Sequence, residues 1–141
     1  MAISFASYDI DFELLEPQRI KQWIKTIIQQ SNCRVGSIGY LFCSDDHLIT
    51  INRQFLNHDT FTDIITFDYV ECDRISGDIM ISIDRVRENA GIFGVPFDHE
   101  LHRVIIHGIL HLLGQGDKSE EEAAQMRSKE ERALIIWESV L

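Results

Sequence analysis

At 141 residues and 45% hydrophobic content, with no apolar run of the roughly 18–20 residues a membrane span needs, the chain has the composition of one globular domain. Its formal net charge of −10 argues against broad, non-specific nucleic-acid binding, because a summed negative field repels phosphate, but it allows a local basic cleft or a bound dication. MAISFASYDIDF lacks the basic and apolar regions of a secretion signal, and Cys33, Cys43 and Cys72 suit neither a disulfide framework nor a CxxC metal pair, so reduced thiols in a cytosolic protein are expected.

ISFASYDIDF alternates roughly and predicts a strand over 3–12. In EPQRIKQWIKTIIQQ, Ile20, Trp23, Ile24, Ile27 and Ile28 share one helical face, and Pro17 suits a first turn. VGSIGYLFC alternates at Ile38, Tyr40 and Phe42, a half-buried strand, after which Ser44 can cap a helix carrying Leu48, Ile51 and Phe55. TDIITFDYV and GDIMISI are two more strands, with the acidic turn ECDRIS between them marking a hairpin. Asp84 is the expected cap of a short helix through Val86, Ala90 and Phe93.

FDHELHRVIIHGILHLL predicts a helix in which, from Val104 to Leu113, only two histidines and Gly108 interrupt the apolar run; a helix apolar all round is a central, buried one. Ser119 and Glu122 form a capping-box pattern for a last helix whose Ala123, Met126, Leu134 and Trp137 should face inward. Four strands and about five helices, segregated rather than strictly alternating, make an α+β fold: a small mixed sheet with one central buried helix.

The chemistry concentrates in HGILHLLGQGD, residues 107–117. On a helix, His107 and His111 lie one above the other and can aim both imidazoles at one ion, at about the 2.0–2.1 Å of a zinc–nitrogen bond. Gly114 allows the chain to leave the helix through a left-handed turn, Gly116 loosens the return, and Asp117 can come back as a third ligand. Three protein ligands leave a position open, as in catalytic rather than structural zinc sites. The competing reading is a buried helix containing two histidines that need hydrogen-bond partners; the glycine break and the returning carboxylate favour the metal. His47, His58, His99 and His102 have no paired ligand spacing to one another, and His102, five before His107 and off the metal face, reads as structural.

HGILHLLGQGD resembles the H-G-x-L-H-L-x-G-Y-D-H signature of the YbeY family of bacterial endoribonucleases, also described as ribosomal-RNA maturation factors. TDIITFDY at 62–69 is similar to that family's T-D-V-L-S-F segment and GDIMIS at 77–82 to its G-D-I-x-I-S strand, in the same order and over nearly the whole chain. The resemblance implies a small α+β metalloprotein over 1–141 holding one Zn2+. It also implies cleavage of single-stranded RNA at the 3′ end of small-subunit rRNA, and a part in ribosome assembly and quality control. Aligned on the signature, the family's third histidine falls on Asp117 and its tyrosine on Gln115, while Leu56 stands where the family usually has a phosphate-clamping arginine. Asp remains a competent zinc ligand, and a two-histidine, one-carboxylate set also suits another divalent transition metal such as iron.

Arg103, four residues before His107 on the same helical face, is then the candidate to stabilise phosphoryl charge, with Arg53 and Thr62 as candidate substrate contacts. The first alternative is an assembly factor that binds the small ribosomal subunit or a basic ribosomal protein while its metal is mainly structural, which an acidic surface suits. A metallopeptidase ranks lower, because Gly108 stands where that chemistry wants a general-base glutamate.

Overall fold

The computed structural model describes residues 2–56 and 62–140. Its elements are β1 (Ile3–Ser7), α1 (Pro17–Gln30), β2 (Arg34–Cys43), α2 (Asp45–Phe55), β3 (Ile64–Asp68), β4 (Arg74–Ser82), α3 (Ile83–Phe93), α4 (Phe97–Leu112) and α5 (Glu120–Trp137). The strands form one mixed sheet in the order β1-β2-β4-β3: β1 and β4 flank β2 in parallel, and β3 returns antiparallel along β4 to make the edge. This is the α+β architecture the sequence predicts, hairpin included.

The pleat sorts residues between two faces. Ile38, Tyr40 and Phe42 of β2 and Ile75, Ile79 and Ile81 of β4 point into the main core, which α1, α4 and α5 close with Ile20, Trp23, Ile105, Ile109 and Trp137. On the opposite face Leu48 and Ile51 of α2 cover Cys43, Ile65, Phe67 and Met80. Burial pushes the Cys43 thiol up to about 12, in keeping with an inert core thiol. Helix α4 packs on β3 and β4 and touches α1, α3 and α5. It lies close to the sheet at Gly108, where an added Cβ would stand 3.0 Å from Ile79 Cδ1 and 3.1 Å from Ile64 Cδ1.

Local expectations fail in four places. The first strand stops at Ser7 rather than continuing to Phe12, because Asp9 (φ 52°) turns the chain and its carboxylate accepts from the Ser44 amide and hydroxyl. The cap of α3 is Ser82, not Asp84: β4 runs straight into the helix, and the Ser82 hydroxyl accepts from the Arg85 amide while donating to Asp45. Phe55 and Phe93, counted with the apolar positions of their helices, are exposed at the last turns of α2 and α3. On α5 the buried face is Met126, Glu130, Ala133 and Trp137, with Ala123 and Leu134 only half-buried.

Candidate metal centre

Helix α4 ends where its sequence says it should. Gly114 takes a positive φ of 97°, which only glycine adopts without strain, and its amide and that of Gln115 bond back to the carbonyls of His111 and Leu110. Gln115 is buried and ties the turn together by donating to the carbonyls of Gly116 and Glu122. Gly116 serves by close approach, since a Cβ there would stand 2.6 Å from the Glu122 carboxylate that completes the cap of α5. The turn lays Asp117 over the last turns of α4.

His107, His111 and Asp117 thereby converge, each offering an atom within 4.8 Å of the other two. Asp117 Oδ2 stands 3.4 Å from His107 Nε2 and 3.3 Å from His111 Nε2. The opposite nitrogen of each ring is engaged. His111 Nδ1 lies 2.9 Å from the Gln115 carbonyl, which can only accept, so Nδ1 carries the proton. His107 Nδ1 lies 2.6 Å from Glu130 Oε2, and Glu130 Oε1 already accepts from Arg103 Nη1. With the rings neutral, both Nε2 lone pairs face a carboxylate oxygen, and three acceptors converging on one point repel one another unless a cation stands among them. Outer hydrogen bonds to a carboxylate and a carbonyl are those that ligating histidines ordinarily make. The residues present fit a divalent metal ion.

Arg103 sits beneath this cluster. Its Nε and Nη2 donate to the two oxygens of Glu100 at 2.9 and 2.7 Å, its Nη1 donates to Glu130 at 3.1 Å, and Asp63 Oδ2 is 3.7 Å from Nη2. The hydrogen bond to Glu100 leads in holding the guanidinium well above its ordinary value. Burial pushes the Asp63 carboxyl up, with Arg103 opposing.

The cluster opens into a cleft of about 720 Å³ between α4, the start of β3 and the end of α2. Leu56, Thr62, Asp63, Ile64, Thr66, Arg103, Asp117 and Lys118 are among its lining residues. Of the residues singled out in the sequence, Arg103, His107, His111, Asp117 and Thr62 come together here. Arg53 is exposed and is not among the cleft-lining residues. His102 lies off the cluster, its ring against Trp23 and Trp137.

Sequence reasoning missed Glu100, Glu130 and Lys118. Glu130 had a signal: a charge four residues after Met126 and three before Ala133, on the apolar face of α5. Glu100 had a weaker one, four residues before the buried Val104. Lys118 had none, since one lysine in a loop is usually only solvated.

A family model described as Endoribonuclease YbeY matches residues 5–138. A Flavobacterium psychrophilum protein named Endoribonuclease YbeY is 53% identical over 135 residues, 96% of each chain. A Phocaeicola vulgatus protein of the same name is 50% identical over 134 residues, 95% of this chain and 97% of its own. The solution structure of TM1509 from Thermotoga maritima matches with a TM-score of 0.64 at 29% identity, over 98% of this chain and 93% of that one. With near-complete coverage at such identity, this chain belongs to the YbeY family.

Proposed function

We propose that this chain is a zinc-dependent endoribonuclease, one site in one domain. Its substrate is single-stranded RNA at the 3′ end of small-subunit rRNA, and it acts in rRNA maturation and ribosome quality control in the cytoplasm. The observation that carries the reading is the convergence of His107 Nε2, His111 Nε2 and Asp117 Oδ2 at the floor of an open cleft. Those three side chains would hold the ion, which when bound supplies Lewis acidity towards a phosphoryl oxygen and acidifies water. Two histidines and a carboxylate fit zinc, and they also fit another divalent transition metal.

The chain's own residues supply the remainder. Lys118 is an exposed cation at the cleft rim, able to meet a phosphate where Leu56 cannot. Thr62 and Thr66 line the same cleft and can donate to phosphate or ribose oxygens, Thr62 by releasing its 3.4 Å bond to the Ile64 carbonyl, while Leu56, Ile64 and Leu112 give a base an apolar surface. The sequence marks Arg103 as a group to stabilise phosphoryl charge, but its donors are turned to Glu100 and Glu130.

A non-catalytic assembly factor docking on the small subunit or a basic ribosomal protein is favoured by one observation: Leu56 lines the cleft where a phosphate clamp is expected, in a chain of net charge −10. A peptidase gains nothing, since Gly108 faces Ile79 and Ile64 of the sheet and offers no base.

The test is cleavage of labelled single-stranded RNA bearing the small-subunit 3′ end, with metal content measured on the same samples. Wild type should cut, and His107→Ala should lose both metal and cutting. RNA cutting that survives loss of the metal sinks the nuclease mechanism. Binding to small-subunit particles by both proteins without turnover by either puts the assembly factor in its place.

A further inference from the structure

Glu130 is a carboxylate on the apolar face of α5, 4% exposed, between Met126 and Ala133. A charge in such a place persists only when fully partnered. Both of its oxygens are: Oε2 lies 2.6 Å from His107 Nδ1 and Oε1 accepts from Arg103 Nη1 at 3.1 Å. Arg103 is in turn fixed by both oxygens of Glu100, itself 1% exposed. A chain of charge-assisted bonds thus runs Glu100–Arg103–Glu130–His107 from the interior of α4 across to α5 and back to the rim of the cluster.

From this geometry we infer that Glu130 is a positioning residue for the metal centre. Its carboxylate accepts the hydrogen bond of His107 Nδ1–H and so keeps the proton on Nδ1, leaving Nε2 as a free lone pair facing Asp117. Arg103 is its counter-charge and acts on the site through Glu130 and His107. The inference rests on the metal reading above and adds to it the residue that prepares one of the three ligands.

Two features distinguish positioning from a simple tie between helices. A tie needs only the Arg103–Glu130 bond, whereas the shorter contact of Glu130 is the one to the imidazole. The carboxylate also leaves His107 in the Nδ1–H form, while a neutral imidazole free in water prefers the proton on Nε2, the atom that must be bare to bind metal. Without Glu130, metal uptake would have to begin by moving that proton.

The experiment uses the full chain, stripped of metal and titrated with Zn2+, in wild type, Glu130→Gln, Glu130→Ala and Met126→Ala. The His107 tautomer is read by nitrogen NMR before each titration. Glu130→Gln keeps the shape but turns an amide donor towards Arg103 or His107; Met126→Ala loosens the same helix face without touching the chain of bonds. Expected are an Nδ1–H tautomer in wild type, its loss in Glu130→Ala, and zinc affinity about 10- to 100-fold weaker in both Glu130 variants. Met126→Ala should lower the melting temperature and leave affinity within about twofold, against that outer-ligand scale.

For Arg103→Gln at saturating zinc, KM for RNA should stay near wild type while the zinc Kd rises; a phosphate-contacting arginine would raise KM instead. Glu130 variants with wild-type affinity, or a Met126→Ala loss as large as theirs, overturn the inference. Should wild type itself take up no zinc, the metal reading fails, and a His107 tautomer unchanged in Glu130→Ala would overturn the positioning claim on its own.

Discussion

Lys118 and Arg53 carry the same charge into different surroundings. Lys118 lines the cleft beside Asp117, and Arg53, on the last turn of α2, is not among the residues that line it. Lys118→Ala should therefore raise KM for RNA several-fold, on the order of one lost phosphate contact, and leave kcat little changed. Arg53→Ala should change neither. Equal KM values for Lys118→Ala and wild type in steady-state cleavage assays would remove Lys118 from the substrate path. Gly114 is decisive for a different reason. Its φ of 97° is costly for any residue with a Cβ, so Gly114→Ala should lose at least about 1 kcal/mol in urea unfolding. The same variant should weaken metal uptake, because this turn aims Asp117 at the histidines. A variant as stable as wild type would mean that the turn relaxes at no cost.

Among the elements, α5 shows how helix signals and site signals differ. Its start is fully legible: Ser119 accepts from the Glu122 amide, and the Glu122 carboxylate accepts from the Ser119 amide, with Glu120, Glu121 and Glu122 lying at the positive end of the helix. Ser119→Ala should destabilise the protein by about 1 kcal/mol in urea and leave zinc affinity alone, since Glu130 lies far along the helix. A large loss of zinc affinity in this variant would show that the cap and the site are coupled. The inward face is less legible, because apolar periodicity counts Ala123 and Leu134 and passes over Glu130. A buried carboxylate breaks the hydrophobic pattern, and only its partners on α4 make it tolerable. Ser82 escaped for a related reason: a strand entering a helix without a loop moves the cap back to the strand's own last residue.

At the scale of the whole molecule, α1, α4 and α5 meet around two tryptophans. Trp23 Nε1 donates to the Ala133 carbonyl at 2.8 Å, and the His102 ring lies tilted 4.3 Å from Trp137 and edge-on 5.8 Å from Trp23. Burial pulls the His102 pKa below its ordinary 6.5; Asp98 and Glu16 oppose this, and Arg19 and His99 add to it. A histidine that is less basic folded than unfolded binds fewer protons in the native state, so folding stability rises with pH across that window. The contribution should be complete above about pH 6.5 and fade as pH falls towards the lower folded value. Urea midpoints at pH 7.5 and 5.5 should differ more for wild type than for His102→Gln; equal differences would show that His102 titrates without consequence.

The sequence by itself determined the element order, the hairpin, the apolar faces of α1 and β2, the glycine turn at Gly114 and the three side chains that converge, because each of these is a local property of spacing or backbone freedom. It also determined the family, through three ordered blocks of residues. What occupies Arg103 was a tertiary matter. Four residues from His107 on one helix, it looks like a group facing the substrate, yet its donors are claimed by Glu100 on its own helix and Glu130 on another. Likewise Asp63, just before β3, lines the cleft because β3 is the edge strand that packs beside α4. Periodicity reports which face of an element is apolar; it carries no information about which charge on one helix will meet which charge on the next, and that pairing is settled only when the helices dock.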